Sequence, residues 1–383
     1  MTDYDENFFD EMRPWSRLKN RILGAYMSPY LAKVAKRRAR IVLVDAFAGA
    51  GRFSDGTAGS PLIICQAAEK YAKGKYDAYF FNSDPSHHEM LTSVLDAENL
   101  VAAKPILGDA IDQLRQLIAS LRNETLFLYI DPYGLNCEFD VLRPLLERDR
   151  SSSTEILINL HMPISHRLGS RHTSQGDGPV APRIQSYHHK LTRVYGGEYW
   201  KNDLVSDYHA SAKKREKALV DHYREKLAST GYLTYTGACP IRETTCSATK
   251  YFMVFASRHP DSMLLLNDEM CKSYNKYMND REAQDTLFSK LTWQDWRDDK
   301  ELTELVLSYV AIEGGTSRIE VWLGIVQEHF MHFTSAEYRS VIKELHSRGK
   351  IECFTSVGND NLISATRIND ETIVRIARQQ ELL

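Results

Sequence analysis

The run Ile41-Val42-Leu43-Val44-Asp45-Ala46-Phe47-Ala48-Gly49-Ala50-Gly51-Arg52 limits what this chain can fold into more than any other stretch. Four consecutive apolar residues, β-branched or Leu, suit a strand buried on both faces, as in a parallel sheet covered by helices. The acid and the small-residue loop that follow suit a handover from strand to ligand loop, because Gly49 and Gly51 let backbone N–H groups approach a ligand closely.

A lone Gly-x-Gly serves many sites, so its company matters. Downstream lie Phe80-Phe81-Asn82-Ser83-Asp84, Ile106-Leu107-Gly108-Asp109-Ala110 and Leu126-Phe127-Leu128-Tyr129-Ile130-Asp131-Pro132-Tyr133-Gly134, each a short apolar run closing on an aspartate. Four such strand ends on one sheet edge put the ligand site at the carboxyl ends of the strands. Asp84 follows Gly51 by more than the ~20 residues of a dinucleotide fingerprint, and no Gly-Lys-Ser/Thr closes the loop, which speaks against NAD and nucleoside-triphosphate sites. The order of motifs resembles that of class I S-adenosylmethionine (SAM) methyltransferases. Asp131-Pro132-Tyr133-Gly134 resembles the Asp-Pro-Pro-Tyr/Phe signature of those acting on exocyclic amino groups, with the aromatic one residue early, as in the Asp-Pro-Phe-Gly of tRNA guanine N2-dimethyltransferases.

Trp15-x-x-x-Lys19, Asp45-Ala46-Phe47-Ala48-Gly49-x-Gly51-Arg52, Gly59-Ser60-Pro61 and Asp131-Pro132-Tyr133-Gly134 together resemble the three-Cys-motif partner (TcmP) family over roughly residues 15 to 290. That resemblance implies a SAM-methyltransferase-like fold and a partner protein carrying three cysteines at a spacing suited to an iron–sulfur cluster of the radical-SAM kind. It brings no settled substrate. The chain's own six cysteines are scattered with no Cys-x-x-Cys pair, and the histidines of 161–189 lack metal spacing, so no metal is expected and most of these histidines read as surface or loop residues.

Within this frame the cofactor candidates are Asp45, Phe47, Gly49, Gly51, Asp84 and Asp109. Asp45 is placed to accept from the SAM amino group, Asp84 from ribose hydroxyls by analogy with dinucleotide folds, and Asp109 from the adenine amino group or, alternatively, from the N-terminus of its own helix. Asp131, Pro132, Tyr133 and Gly134 are the catalytic candidates: an acceptor for amine protons, a rigid turn, and a ring on which a flipped base stacks. Between His161 and Arg193 stand five cations, Arg167, Arg171, Arg183, Lys190 and Arg193, against one acid, and these are the candidates for holding substrate phosphates.

Along the chain, residues 1–38 read as a loose tail and an N-terminal helical segment. Its stripe Trp15, Leu18, Ile22, Tyr26, Tyr30, Val34 is expected to break at Pro29 into two tandem helices. Residues 39–292 read as a Rossmann-like class I methyltransferase domain. Five parallel strands precede an insertion at about 161–232, and a final hairpin near 233–238 and 250–256 supplies an antiparallel last strand. Trp293 and Trp296 read as packing anchors. Residues 293–383 resemble a winged helix, with helices at 302–312, 320–329 and 335–347 and a wing from Lys350–Phe354 and Leu362–Arg367.

The whole chain has a net charge of −3, and residues 301–383 hold eight Lys/Arg against twelve Asp/Glu, so the C-terminal unit is expected to dock protein rather than DNA. An acidic N-terminus and the lack of an 18-residue apolar run point to a cytoplasmic protein. Two functions follow: methyl transfer to a nucleic-acid base amino group with a three-Cys partner, or a non-methylating recognition or scaffold subunit for such a partner.

Overall fold

The computed structural model describes residues 13–148, 152–169, 182–206, 211–244, 246–285, 302–313, 315–355 and 362–377. Its centre is a seven-stranded sheet of β1 (Ile41–Asp45), β2 (Tyr76–Asn82), β3 (Ala103–Leu107), β4 (Thr125–Ile130), β5 (Thr154–His161), β6 (Tyr235–Ile241) and β7 (Tyr251–Ser257), in the order β3-β2-β1-β4-β5-β7-β6. β1 to β5 are mutually parallel, and β7 runs antiparallel to both β5 and β6. This is the Rossmann-like methyltransferase sheet that the sequence pattern predicts, with the reversed strand in the final hairpin. Alternate residues of the central strands feed two cores: Leu43, Phe127 and Leu157 one face, Val44, Leu128 and Ile158 the other. Burial on both faces is why these strands read as unbroken apolar runs.

On one face lie α1 (Pro14–Val34), α2 (Ser60–Tyr71), α3 (Pro85–Ala97) and α9 (Pro260–Asp285). The other carries α4 (Ala110–Ser120), α5 (Phe139–Leu146), α6 (Met162–Gly169), α7 (Pro182–Tyr195) and α8 (Ala212–Ala228). The last three helices, with a π turn at Asn202–Ser206, fill the interval between β5 and β6.

α1 is one continuous helix with Pro29 inside it, not two in tandem. Pro29 forfeits a single hydrogen bond, at ~3 kcal/mol for an interior proline. The stripe Leu18, Ile22, Tyr26, Tyr30 and Val34 is buried along its whole length, and at roughly 1.5–3 kcal/mol per large side chain that burial outweighs one lost bond.

Beyond α9 come α10 (Leu302–Glu313), β8 (Thr316–Ser317), α11 (Arg318–Glu328), α12 (Ser335–Ser347), β9 (Ile351–Phe354) and β10 (Ile373–Ile376), the strands forming a small sheet in the order β8-β10-β9. Residues 362–367 do not supply the strand expected there. Leu362 makes one isolated bridge to Phe354, Ala365–Arg367 is a 3-10 turn, and β10 takes the place beside β9. The apolar pair Ile373-Val374, both buried, fits that sheet better than the polar 364–367 stretch does. Trp293 and Trp296 lie outside the described residues.

These C-terminal elements share the core of α1 and α9. Fully buried Asn267 on α9 donates to the Phe333 carbonyl (2.8 Å) and accepts from the Met331 N–H (2.7 Å), holding Met331 in a left-handed conformation (φ 67°). A β-carbon on Gly237 of β6 would stand 2.5 Å from the Phe330 ring, so the glycine is what lets that ring close on the sheet.

Candidate active site

The sequence places acids just past β1, β2, β3 and β4, and the parallel register brings all four to one sheet edge. Asp45 is fully buried; its Oδ1 accepts from the Phe47 N–H (3.2 Å) and its Oδ2 from the Ser60 hydroxyl at the start of α2 (2.6 Å). Burial pushes its carboxyl up to about 7, partly countered by those two donors, with nearby Asp131 raising it further. The loop after it is tied to β2: the Ala48 N–H donates to the Phe81 carbonyl and the Asn82 amide to the Gly49 carbonyl.

Gly51 has φ +85°, and a β-carbon there would lie 2.9 Å from Leu91 Cδ1, so conformation and packing both demand glycine. A β-carbon on Gly49 would meet nothing within 4 Å: this part of the loop faces open space.

Asp84 and Asp109 are exposed helix N-caps. Asp84 Oδ1 accepts from the His87 N–H of α3, which holds its carboxyl below the usual range, and Asp109 Oδ1 accepts from the Ile111 and Asp112 N–H groups of α4. Each cap uses Oδ1, and a carboxylate has capacity for further bonds, so neither acid is closed to a ligand.

Asp131, one residue past β4, is gripped by Lys19 of α1, whose Nζ lies 2.6 Å and 2.9 Å from its two oxygens. The Tyr129 hydroxyl, 3.3 Å away, donates to the same carboxylate and itself accepts from the Asn159 amide of β5 (3.0 Å). Asn159 Oδ1 is buried with no hydrogen-bond partner. Lys19 also sits 4.2 Å from the centroid of the Tyr251 ring, on whose edge His161 packs at 4.9 Å. Because the Ile164 N–H donates to His161 Nδ1 (3.2 Å), the proton of the neutral ring is on Nε2. Burial, aided by Lys19 and Arg167, lowers the His161 pKa to about 4, so the ring is a neutral donor near pH 7.

Tyr133 is 52% exposed. Gly134 turns the chain with φ +80°, Pro132 is buried, and the Tyr133 carbonyl accepts from Asn136, which in turn accepts from Lys190 of α7 (3.1 Å). Arg193 on the same helix pairs with Glu138 (2.9 Å). Arg183, two turns earlier, donates to the Tyr187 hydroxyl. α7 therefore carries Lys190 and Arg193 against the loop that follows Asp131. Arg167 ends α6, near enough to act on His161, and Arg171 lies outside the described residues.

Reading these histidines as surface or loop residues fails for two of them. His161 is half-buried in the cluster, and buried His188 packs 5.1 Å from Trp200. Lys19, Tyr129, Asn159 and Tyr251 were not singled out as site residues either. Only Lys19 carried a signal, its spacing from Trp15; that spacing now has a physical reason, since Lys250 stacks on Trp15 as Lys19 does on Tyr251. Among the described residues no group of His, Cys, Asp or Glu is arranged to hold a metal ion, and no helix is long and apolar enough to cross a membrane.

No family model and no curated protein sequence matches the chain. Solved structures similar to it include a methyltransferase from Geobacter sulfurreducens, 14% identical over 35% of this chain and 61% of its own, with a TM-score of 0.24. The present chain thus spans under two thirds of that protein. An O-methyltransferase from Bacillus cereus in complex with SAH is 15% identical over 61% of this chain and 79% of its own (TM-score 0.32), and a SAM dependent methyltransferase from Aquifex aeolicus 11% identical over 65% and 100% (TM-score 0.28). The fold assignment rests on the strand order and on the reversed β7.

Proposed function

We propose that this protein is a SAM-dependent methyltransferase acting on the exocyclic amino group of a nucleic-acid base. The observation that carries the reading is the placement of Asp131, held by Lys19 and Tyr129 beside exposed Tyr133, on the sheet edge that also holds the Gly49–Gly51 loop.

The residues present fit the cofactor. Open space beside Gly49 leaves room for it, buried Asp45 offers a carboxylate to a cationic amino group, and Phe47, Gly51, Asp84 and Asp109 complete the holding set. When bound, SAM supplies an electrophilic methyl group. Asp131 accepts an N–H of the target amine and so orients its lone pair, Pro132 and Gly134 fix the turn, and the Tyr133 ring stacks on the base. His161, a neutral donor close to Asp131, suits a ring nitrogen beside the amine. Arg167, Arg171, Arg183, Lys190 and Arg193 are assigned to substrate phosphates.

We further assign the chain to the TcmP family, working with a three-Cys-motif protein in the cytoplasm, with residues 293–383 as a winged-helix module. The helix and strand order from α10 to β10 supports that module.

A second reading, a non-methylating scaffold subunit for the three-Cys partner, is favoured by one observation: Lys19 already occupies both oxygens of Asp131. Labelled SAM offered with separate DNA, tRNA and rRNA pools decides between them. Label is expected in one pool and is expected to vanish in Asp131→Ala, while calorimetry shows SAM binding intact. Binding of SAM with no labelled nucleic acid would select the scaffold.

A further inference from the structure

The net acidity of the C-terminal residues conceals an uneven distribution. α12 packs inward through Tyr338, Ile342 and Leu345, and Tyr338 is fixed by stacking on Trp322 of α11 and by donating to the Arg318 carbonyl (2.6 Å). At about 100° per residue the opposite side presents Ala336, Arg339, Ser340, Lys343 and Ser347, all exposed, with exposed Lys350 three residues past the helix end.

No acid falls in that window. Glu337 closes a capping box with Thr334, and Glu344 lies at the rim, paired with Arg348 at 2.7 Å. The exposed acids Glu304, Glu328, Asp370 and Glu371 belong to α10, α11 and the turn before β10. Lys343 and Lys350 have no side-chain partner among the described residues. Arg339 gives two N–H groups to Ser335, and a guanidinium has five donors.

We propose that this face of α12 binds duplex DNA, the helix entering the major groove and its cations meeting the phosphates. Small residues between the cations let the helix axis approach closely, and an α-helix of about 10–12 Å diameter fits a major groove about 12 Å wide. Duplex RNA is excluded because its major groove is deep and narrow. Arg339 and Lys343 stand one turn apart, about 6 Å along the axis, so two cations reach along one strand. The site is separate from the Asp131 cluster and requires no methyl transfer.

The test is fluorescence anisotropy of the full chain with a labelled 24-base-pair DNA duplex of mixed sequence across a salt series. Arg339→Glu/Lys343→Glu is expected to weaken binding at least tenfold at low salt and to reduce the slope of log K against log salt by about 2. Ala336→Trp, which changes no charge, is expected to weaken it similarly by blocking approach. Lys36→Glu/Arg38→Glu, at the far end of α1, is expected to bind like the parent. Unchanged DNA binding in both α12 variants with unchanged melting temperatures, or tighter binding of an RNA duplex than of DNA, overturns the proposal.

Discussion

Lys19 Nζ and the Asp131 carboxylate meet at 2.6 Å and 2.9 Å although 112 residues separate them in sequence. The pair ties the N-terminal helix to the turn after β4, and Tyr251 covers the ammonium from the side. Lys19→Met keeps the stem and removes the charge, leaving Asp131 with the Tyr129 hydroxyl alone among these contacts. A loss of about 1–3 kcal/mol in urea unfolding is expected, in line with charge-assisted hydrogen bonds at a partly buried site. Methyl transfer is expected to fall at least tenfold with SAM affinity nearly unchanged. A variant as stable and as active as the parent would remove Lys19 from the site.

Asp45 and Glu155 are both buried with carboxyls pushed up to about 7, Glu155 despite hydrogen bonds from Tyr26 and Ser262. Between about pH 4 and 7 the folded state keeps these protons while the unfolded chain has lost them, so ν_U − ν_N is negative and their contribution to stability falls as pH rises. His161, lowered to about 4, acts oppositely between about 4 and 6.5, where the unfolded chain holds the extra proton. Subtracting the unfolding free energies of Asp45→Asn from the parent's across this range isolates the Asp45 part, expected to decline with pH by a few kcal/mol at the order-of-magnitude level. A flat difference would show that Asp45 titrates normally.

Because SAM offers an ammonium to Asp45, binding is expected to tighten from pH 6 to pH 8 as the carboxyl ionises. Calorimetry in buffers of different ionisation enthalpy at pH 6.5 should register proton release on binding. Asp45→Asn should lose both the pH dependence and the release.

His161 is expected to act as a neutral donor through Nε2. His161→Gln, which retains a donor, should keep kcat/KM within about threefold, and His161→Phe should lose about tenfold, the scale of one hydrogen bond. A rate limb near the His pKa in the parent that disappears in both variants would instead make it a base.

Asn267→Ala strands the Met331 N–H and the Phe333 carbonyl in the core, each costing about 1–3 kcal/mol. Chemical denaturation should show a loss of about 2–4 kcal/mol. Gly237→Ala should also destabilise, and Phe330→Ala should relieve part of that cost in a double-mutant cycle.

The sheet was readable because its determinants are local. Apolar runs such as 41–44 and 126–130 declare strands buried on both faces, and the acids that close them are adjacent in sequence to what they cap. Asp84 and Asp109 were even ambiguous in an informative way, since the capping alternative weighed for Asp109 is what both aspartates do. The Asp131 cluster was not readable in the same way. Tyr129 sits inside an apolar strand, Asn159 two strand positions before His161, and Tyr251 begins a strand 120 residues away; only the register of β4, β5 and β7 brings them together. Pro29 misled for a related reason, as a local rule met a tertiary surface that buries the helix on both sides of it.

α1 touches the sheet at both ends: Lys19 at Asp131 on the carboxyl edge, and Tyr26 at Glu155, which pairs with Phe127 near the amino edge. Seven residues of helix rise about 10.5 Å, and four residues of strand from 127 to 131 run about 13 Å, so the helix works as a ruler laid across β4. Adding or deleting one residue between 19 and 26 would rotate one anchor about 100° away from its partner. The spacing of that segment is thus as constrained as the identity of either residue, and its length cannot drift even where its intervening side chains can.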